Sequence, residues 1–204
     1  MLLIANVLVA GVAAANSTVY IIRHGEKTWP GGCLDIQGQE RANNMHNVFN
    51  GGAFKSPAAL FANKYYNQRD CERCWLTIQS ISQSLSIPIQ FDHGYPKSLG
   101  GNAAAAAAII NASKTAGVVL VSWEHVNIQF LAEDMGVPKS KVPYWKGSDY
   151  DTVYVLEFDA AGQLTSFDVQ AQGYTPKSTT CPPHYVPPPG EATWRDPDEE
   201  VEEA

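Results

Sequence analysis

Residues 18–26 read TVYIIRHGE, an apolar run that ends in an arginine, a histidine and a glycine. The first five residues are apolar or β-branched without interruption, which is typical of a strand buried on both faces of a parallel sheet. Polar residues begin abruptly at Arg23 and His24, so both side chains are expected at the carboxyl end of this strand. In open α/β sheets, ligands bind at that edge.

A second apolar run, VVLVSW at residues 118–123, also leads into a histidine, because Glu124 and His125 follow it directly. The carboxyl ends of parallel strands lie at the same edge of a sheet. We therefore expect the imidazoles of His24 and His125 to lie near each other.

Two arginines add positive charge to this predicted site. The planar guanidinium of Arg23 matches the oxygens of a phosphate group. Arg73 lies at the start of a predicted helix, where free backbone N–H groups also favour an anion. Gly25 allows the backbone to approach a ligand closely. A histidine can attack phosphorus and hold it covalently, so the pattern predicts phosphoryl transfer at His24 without an obvious metal.

The rest of the chain alternates between helical and strand patterns. Helices are predicted at 35–47, 73–85, 102–112 and 125–135, from apolar residues three or four apart and from a run of alanines. Further strands are predicted at 58–62, 87–91, 150–158 and 164–169. This alternation predicts an α/β fold, a three-layer sandwich with a mostly parallel central sheet.

Three segments differ in composition. Residues 1–15 carry no charge and end in small side chains, which is typical of a secretory signal peptide, although no basic residue precedes the apolar core. The alternative for this segment is a buried first strand. Residues 16–175 contain the alternating pattern and are predicted to form one domain. Residues 176–204 are rich in proline and acidic residues and are predicted to be a disordered tail.

Most of the net charge of −7 comes from the tail. Residues 190–204 contain seven acidic side chains and one basic one, which leaves 14 acids and 13 bases in the remainder. A nearly neutral body gives no long-range attraction to nucleic acid or to an anionic membrane. We therefore expect neither a nucleic-acid partner nor membrane association after signal removal, and the pattern leaves the oligomeric state open.

Cysteines and glycosylation acceptors fit a secreted protein. The four cysteines, an even number, favour an oxidising compartment and one or two disulfides of undetermined pairing; they are Cys33, Cys71, Cys74 and Cys181. A zinc or redox module at Cys71 and Cys74 is a minor alternative, because no second Cys-x-x-Cys exists. Asn16 and Asn111 begin N-x-S/T acceptors for glycosylation.

The RHGE motif at residues 23–26 resembles the signature of the histidine phosphatase superfamily, whose members include phosphoglycerate mutases and acid phosphatases. Arg73, followed four residues later by Thr77, resembles the second phosphate-binding arginine of that superfamily. The strand that leads into His125 resembles the one before its second histidine. The order and the separations match across residues 18–158.

This resemblance implies a phosphoglycerate mutase-like fold, a small phosphorylated substrate and no metal or cofactor. It implies that His24 is the phosphorylated nucleophile, and that Arg23, Arg73 and His125 form the phosphate pocket. The Trp-Glu-His run at 123–125 is similar to that of secreted phosphoglycerate-mutase-like proteins.

The proton donor is not identified by a clear motif. The mutase branch takes a glutamate from the loop after the strand that follows its second-arginine helix, and the matching stretch here offers Asp92 first and His93 second. Glu124 is third, because it would project from the opposite side of the strand. Glu26 is expected to orient its neighbours. The acid phosphatase branch has an aspartate directly after its second histidine, and the valine found here argues against a phytase-like enzyme.

The sequence thus favours a secreted phosphomonoester hydrolase that acts through phosphohistidine. One alternative is a phosphate- or phospholigand-binding protein on the same fold with weak or no turnover. Another is a phosphoglycerate mutase-type phosphotransferase, which is less favoured because the short chain lacks added elements for a closing lid.

Overall fold

The computed structural model describes residues 16–28, 32–64, 72–94 and 101–178. Within these residues the chain forms six strands, four α-helices and one short 3-10 helix. In chain order they are β1 Ser17–Arg23, α1 Ile36–Val48, β2 Ala59–Ala62, α2 Arg73–Leu85, β3 Ile89–Gln90, α3 Gly101–Ala116, β4 Val118–Trp123, α4 His125–Asp134, the 3-10 helix Lys139–Lys141, β5 Thr152–Phe158 and β6 Leu164–Ala171.

The strands form one mixed sheet in the order β3-β2-β4-β1-β5-β6. β3, β2, β4 and β1 run parallel to one another, whereas β5 pairs antiparallel with both β1 and β6. The predicted α/β sandwich with a mostly parallel sheet is therefore confirmed. The register pairs Arg23 with Trp123, so β1 and β4 end side by side.

The strand β1 is buried on both faces, as its uninterrupted apolar run predicts. Val19 and Ile21 belong to a core cluster that includes side chains of α3 and α4. Tyr20 and Ile22 face the opposite way, into a second cluster with α1 and α2. The sheet is thus the middle layer of three. The carboxyl ends of β1 and β4 lie side by side at one edge of this layer.

The segment after β1 contacts the first turn of α1 backbone to backbone. The Asp35 carboxylate caps α1 by accepting a hydrogen bond from the Gly38 backbone N–H at 2.8 Å. A Cβ atom on Gly25 would lie 3.0 Å from the Gly38 Cα, and a Cβ on Gly38 would collide with the Glu26 carbonyl oxygen. The close approach permitted by Gly25 is therefore to α1.

The chain returns to α1 after β6. The Arg41 guanidinium on α1 donates hydrogen bonds to the Gln172 side chain at 3.2 Å and to the Tyr174 carbonyl at 3.1 Å. Glu40 accepts hydrogen bonds from Ser178, Lys177 and Tyr174, which lower the pKa of its carboxyl to about 2. Residues 172–178 are thereby attached to the face of α1 next to the sheet edge.

The predicted element bounds agree with the structure to within a few residues, with two exceptions. The predicted strand at 87–91 shortens to two residues, which pair only with β2. The alanine-rich helix extends four residues beyond the prediction and ends before Gly117, whose φ of +75° suits glycine. No helix in the described residues is long and apolar enough to span a membrane.

Several predictions concern residues outside the described part. The leader at 1–15 and residues 179–204 lie there, so the domain limits at 16 and 175 stay predictions. Cys33 is disulfide-bonded, whereas Cys71 and Cys181 lie outside the described residues and leave the pairing open. Cys74 belongs to α2, and its side chain is fully buried in the core cluster that α1 and α2 form with the sheet.

Replacing Gly38 with alanine is expected to destabilise the fold by about 1–3 kcal/mol, because the added methyl has no room against the backbone of Glu26. Chemical denaturation of the wild type and of Gly38→Ala measures the change. Gly52→Ala is the matched control, since Gly52 is exposed and lies near only a flexible side chain. Equal stability of the two variants would contradict the packing described here.

Candidate active site

The structure brings the two histidines together. His24 directly follows β1, and its backbone N–H extends the pairing with β4 by donating to the Trp123 carbonyl at 3.2 Å. His125 is the first residue of α4. Their ring centroids are 6.2 Å apart and the rings are nearly perpendicular. The parallel pairing of β1 and β4 therefore places two imidazoles at one edge, as expected from the sequence.

The His24 imidazole presents one bare nitrogen. Its Nδ1 lies 2.8 Å from the Gly25 carbonyl, which can only accept, so Nδ1 carries the hydrogen. Nε2 is buried and has no hydrogen-bond partner among the described residues. Burial lowers the pKa of His24 well below 6.5, and the charges of Arg73 and Arg23 lower it further. His24 is thus a neutral imidazole with an available lone pair on Nε2.

Arg73 reaches the site from the start of α2 and is almost fully buried. One of its guanidinium nitrogens lies 3.5 Å from the Gly32 carbonyl. Thr77, one turn later, donates to the Arg73 carbonyl and accepts from the Gly25 backbone N–H, both at 2.8 Å. The threonine of this Arg-x-x-x-Thr pattern therefore ties the first turn of α2 to the loop that carries His24.

Arg23 is held by the segment that precedes β5. Its guanidinium donates to the Gly147 carbonyl and lies 3.5 Å from the carbonyls of Lys146 and Asp149. The guanidinium carbon lies 4.0 Å from the ring centroid of Tyr150. These partners fix a buried cation at the end of β1.

Tyr150 is a site residue that the sequence did not indicate. Its ring centroid lies 6.3 Å from that of His24. Burial raises the pKa of its phenol; Arg23 opposes the rise, and Glu26 and Asp35 add to it. Tyr150 stands two residues before β5, in the loop that leads into this strand. The path of this loop past the end of β1 places the Tyr150 ring beside His24.

Glu26 forms an ion pair with Arg41, a third buried arginine. The sequence did not single out Arg41. The Glu26 carboxylate accepts from Nε of Arg41 at 3.0 and 3.1 Å, and from a terminal nitrogen at 2.8 Å. Arg41 also contacts the segment after β6, so this ion pair joins that segment to the loop of His24. The expected role of Glu26 in orienting its neighbours stays a prediction.

Glu124 caps α4 and contacts His125. Its carboxylate accepts from the backbone N–H groups of Val126 and Asn127 at 3.1 Å and from the Asn127 side chain at 2.7 Å. It also lies 3.0 Å from His125 Nδ1. Burial raises the pKa of the Glu124 carboxyl, but the contact with His125 and these hydrogen bonds outweigh it, so the net pKa is lowered. Glu124 is therefore a carboxylate and a poor proton donor.

Asp92 and His93 follow β3. Asp92 is exposed and His93 is half-buried, with its carbonyl accepting from the Lys64 backbone N–H at 3.0 Å. Within the described residues, neither side chain has a hydrogen bond or ion pair with His24 or Arg73. The structure thus does not join these two candidate donors to the histidine pair.

His24, Glu124 and His125 could also be considered as metal ligands, since one ligand atom from each lies within 4.8 Å of the others. Two observations favour an anion instead. Arg73 and Arg23 act on His24 as positive charges, and a divalent cation beside them would be repelled. The Glu124 oxygens already accept hydrogen bonds from α4. The charge of the site suits a phosphate group.

No protein-family model matches the chain, and no curated protein matches it in sequence. Solved structures match in fold. The protein histidine phosphatase SixA complexed with tungstate has a TM-score of 0.54 at 16% identity, over 76% of this chain and 97% of that one. Phosphoserine phosphatase from Entamoeba histolytica in complex with 3-phosphoglyceric acid has a TM-score of 0.51 at 14% identity, over 76% and 98%. Phosphoglycerate mutase from Plasmodium falciparum has a TM-score of 0.50 at 12% identity, over 81% and 98%.

The described residues define an α/β protein in which Arg23 and two histidines lie at the carboxyl ends of two adjacent parallel strands, and in which the buried Arg73 extends from the start of α2. The chain shares its fold with a protein histidine phosphatase and with a phosphoglycerate mutase. The resemblance carried by residues 23–26 is thereby confirmed at the level of the fold.

His24 is expected to remain neutral until the pH falls well below 6.5, because burial and two guanidinium charges disfavour its imidazolium form. Arg73→Met should raise the pKa of His24, since one of these charges is lost. An NMR titration of the histidine Cε1 protons measures both effects, with the exposed His46 as the internal control. A His24 that titrates like His46, or that ignores the substitution, would refute the electrostatic description.

Proposed function

We propose that this protein is a phosphomonoester hydrolase that acts on a small phosphorylated substrate through a phosphohistidine at His24. One observation carries the proposal: the buried Nε2 of a neutral His24 has no partner among the described residues and lies beside a second imidazole. Two arginines act on it as positive charges. A nucleophile with a free lone pair beside fixed cations suits attack on a phosphate ester.

The chemistry then follows in two steps. The Nε2 lone pair of His24 attacks phosphorus, a P–N bond forms and the bond to the departing oxygen breaks. Arg23, Arg73 and His125 balance the charge on the phosphoryl oxygens, and their burial strengthens this effect because little water screens it. Water then attacks phosphorus, the P–N bond breaks and inorganic phosphate leaves.

The binding of oxyanions by similar structures supports a phosphate pocket. SixA has been solved with tungstate, a tetrahedral oxyanion like phosphate. The phosphoserine phosphatase has been solved with 3-phosphoglyceric acid. We expect tungstate to compete with substrate in this protein, and a phosphotransferase of the mutase type is the less favoured reaction on the same site.

A second candidate function is phosphate or phospholigand binding without turnover. It is favoured by the exposed position of Asp92 and by the low pKa of Glu124, which leave no carboxylic acid donor assigned in the described part of the chain. Tight binding of phosphate without hydrolysis of any ester distinguishes this function from the enzyme.

Secretion also belongs to the proposal, supported by the composition of residues 1–15 and by the exposure of both acceptor asparagines, Asn16 and Asn111. Expression of the full chain in a secretory host, with and without glycosidase treatment of the medium, tests it. Retention of the leader inside the cell would contradict it.

The central test traps the intermediate. Wild-type protein mixed rapidly with 4-nitrophenyl phosphate and quenched in alkaline denaturant, which preserves the P–N bond, should carry one phosphoryl group that maps to His24. His24→Ala should carry none and should lose about 10³-fold or more of the hydrolysis rate.

His46→Ala is the matched control, because His46 is an exposed histidine in the last turn of α1. It should retain both the intermediate and the rate. If folded wild-type protein hydrolyses no phosphoester faster than His24→Ala does, the enzyme proposal fails. Phosphate binding that persists in that case would support the binding function.

A further inference from the structure

Cleavage of a phosphate ester places negative charge on the departing oxygen, which needs a proton unless it is an unusually stable anion. The candidate acids from the sequence do not meet this need in the structure. Asp92 is exposed and, within the described residues, has no contact with the histidine pair. Glu124 is held as a carboxylate by its hydrogen bonds and by His125. Among the described residues, the groups beside His24 that can carry a proton are His125 and Tyr150.

His125 is placed to carry that proton. Its side chain is 13% exposed, and its Nδ1 lies 3.0 Å from a Glu124 carboxylate oxygen. The contact is an ion pair without hydrogen-bond geometry. Because a carboxylate attracts a proton to the nitrogen that faces it, we place a hydrogen on Nδ1, which leaves Nε2 as the nitrogen available to a ligand. The two imidazoles thus differ in partner, since Nδ1 of His24 is bound by a neutral carbonyl and Nδ1 of His125 faces an anion.

The position of the Glu124 carboxylate is fixed by a chain of buried polar contacts. Asn127 donates to Glu124 at 2.7 Å, and Asn102 on α3 donates to the Asn127 side-chain oxygen at 3.1 Å. The Trp123 indole N–H donates to the Asn102 oxygen at 3.0 Å. This chain of contacts joins β4, α3 and α4. A carboxylate whose orientation is set from three elements serves as a precise partner for an imidazole.

The charges around His125 divide into two groups. The positive groups of the site are the N-terminal end of α4, where His125 stands, and the guanidinium groups of Arg23 and Arg73. The Glu124 carboxylate and the dianionic phosphate of a bound substrate favour a positive imidazole. Glu26 and Asp35 are more remote and act on the Tyr150 phenol. Binding of substrate therefore adds negative charge at the moment when a protonated His125 is required.

Tyr150 is the rival donor, since its ring also lies beside His24. Burial raises the pKa of its phenol above 10, the ordinary value. A phenol of this kind is a weak acid near neutral pH.

We propose that His125 is the general acid of the hydrolysis and that Glu124 is its positioning residue. This inference rests on the proposed function. It assigns the second histidine a proton-transfer role in addition to holding the phosphoryl group.

The steps balance as follows. As the His24 lone pair forms the P–N bond, the electron pair of the breaking P–O bond moves to the departing oxygen, which takes the proton from His125 Nε2. His125 is then neutral. In the second half, water attacks phosphorus, gives one proton to His125 Nε2, and the P–N electron pair returns to His24. Both histidines end in their starting forms.

Glu124→Gln tests the inference with two similar esters. Glutamine keeps an oxygen that can cap α4 but removes the charge facing His125. The kcat/KM for phenyl phosphate, whose leaving group needs a proton, should fall about 100-fold. The fall for 4-nitrophenyl phosphate, whose leaving group is a stable anion, should be at least about tenfold smaller. The phosphohistidine at His24 should still form from 4-nitrophenyl phosphate.

Asp92→Asn and Tyr150→Phe are the matched controls, because each removes a rival donor with little change in shape. Neither should change the ratio of the two rates by more than about twofold. A selective loss on phenyl phosphate in either control, with none in Glu124→Gln, would overturn the inference.

Asn127→Ala keeps the test decisive if Glu124→Gln folds poorly, because it removes one contact of the carboxylate and leaves its charge. It should lower the phenyl phosphate rate selectively, by a smaller factor, and thermal unfolding would report any loss of fold. Equal losses on both esters, with phosphohistidine still forming, would overturn the role of Glu124 and His125 alone. A wild-type protein that forms no phosphohistidine and hydrolyses neither ester would overturn the proposed function itself.

Discussion

The parallel pairing of β1 with β4 is the constraint on which the site depends. The register aligns Arg23 with Trp123, and the chain leaves both strands at the same level. His24 therefore emerges next to the residue pair that caps and begins α4. Apolar side chains on both faces of each strand pack against the helices. A shift of register by one residue would turn each of these side chains to the opposite face of the sheet. The position of two imidazoles is thus set by the core.

The cost of this arrangement is the burial of several polar groups. Three arginines and a histidine lie almost without solvent contact, and groups of this kind are stable in the interior only when they have partners. Backbone carbonyls of residues 146–149 and the Tyr150 ring hold Arg23. Hydrogen bonds through Thr77 hold the start of α2 against the loop of His24. The segment before β5 therefore fixes the guanidinium of Arg23, and Thr77 fixes the start of α2, where Arg73 stands.

Much of the fold could be predicted from the sequence, and the reason is local. About ten neighbouring residues are enough to recognise each apolar run of β1 and β4 and the apolar spacing of α2. The same short segments contain the histidines that follow the two strands. Tyr150 and Arg41 could not be found in this way, because each reaches the site through a part of the chain that is distant in sequence. The interpretation of Gly25 also needed coordinates, since the group that approaches it is the backbone of Gly38. The proton-transfer role that we propose for His125 was not predicted, because it depends on a contact between Glu124 and His125 that neighbouring positions alone do not reveal.

The attachment of residues 172–178 to α1 has a consequence for the integrity of the pocket. Arg41 is almost fully buried, and it links Glu26, two residues after His24, to Gln172 and Tyr174. A protein that ended with β6 would retain every strand and helix of the sandwich. It would nevertheless leave part of this interior guanidinium without acceptors and loosen the loop that follows His24. Residues 172–178 thus fasten the segment after β6 to α1 and, through Arg41 and Glu26, to the loop that follows His24.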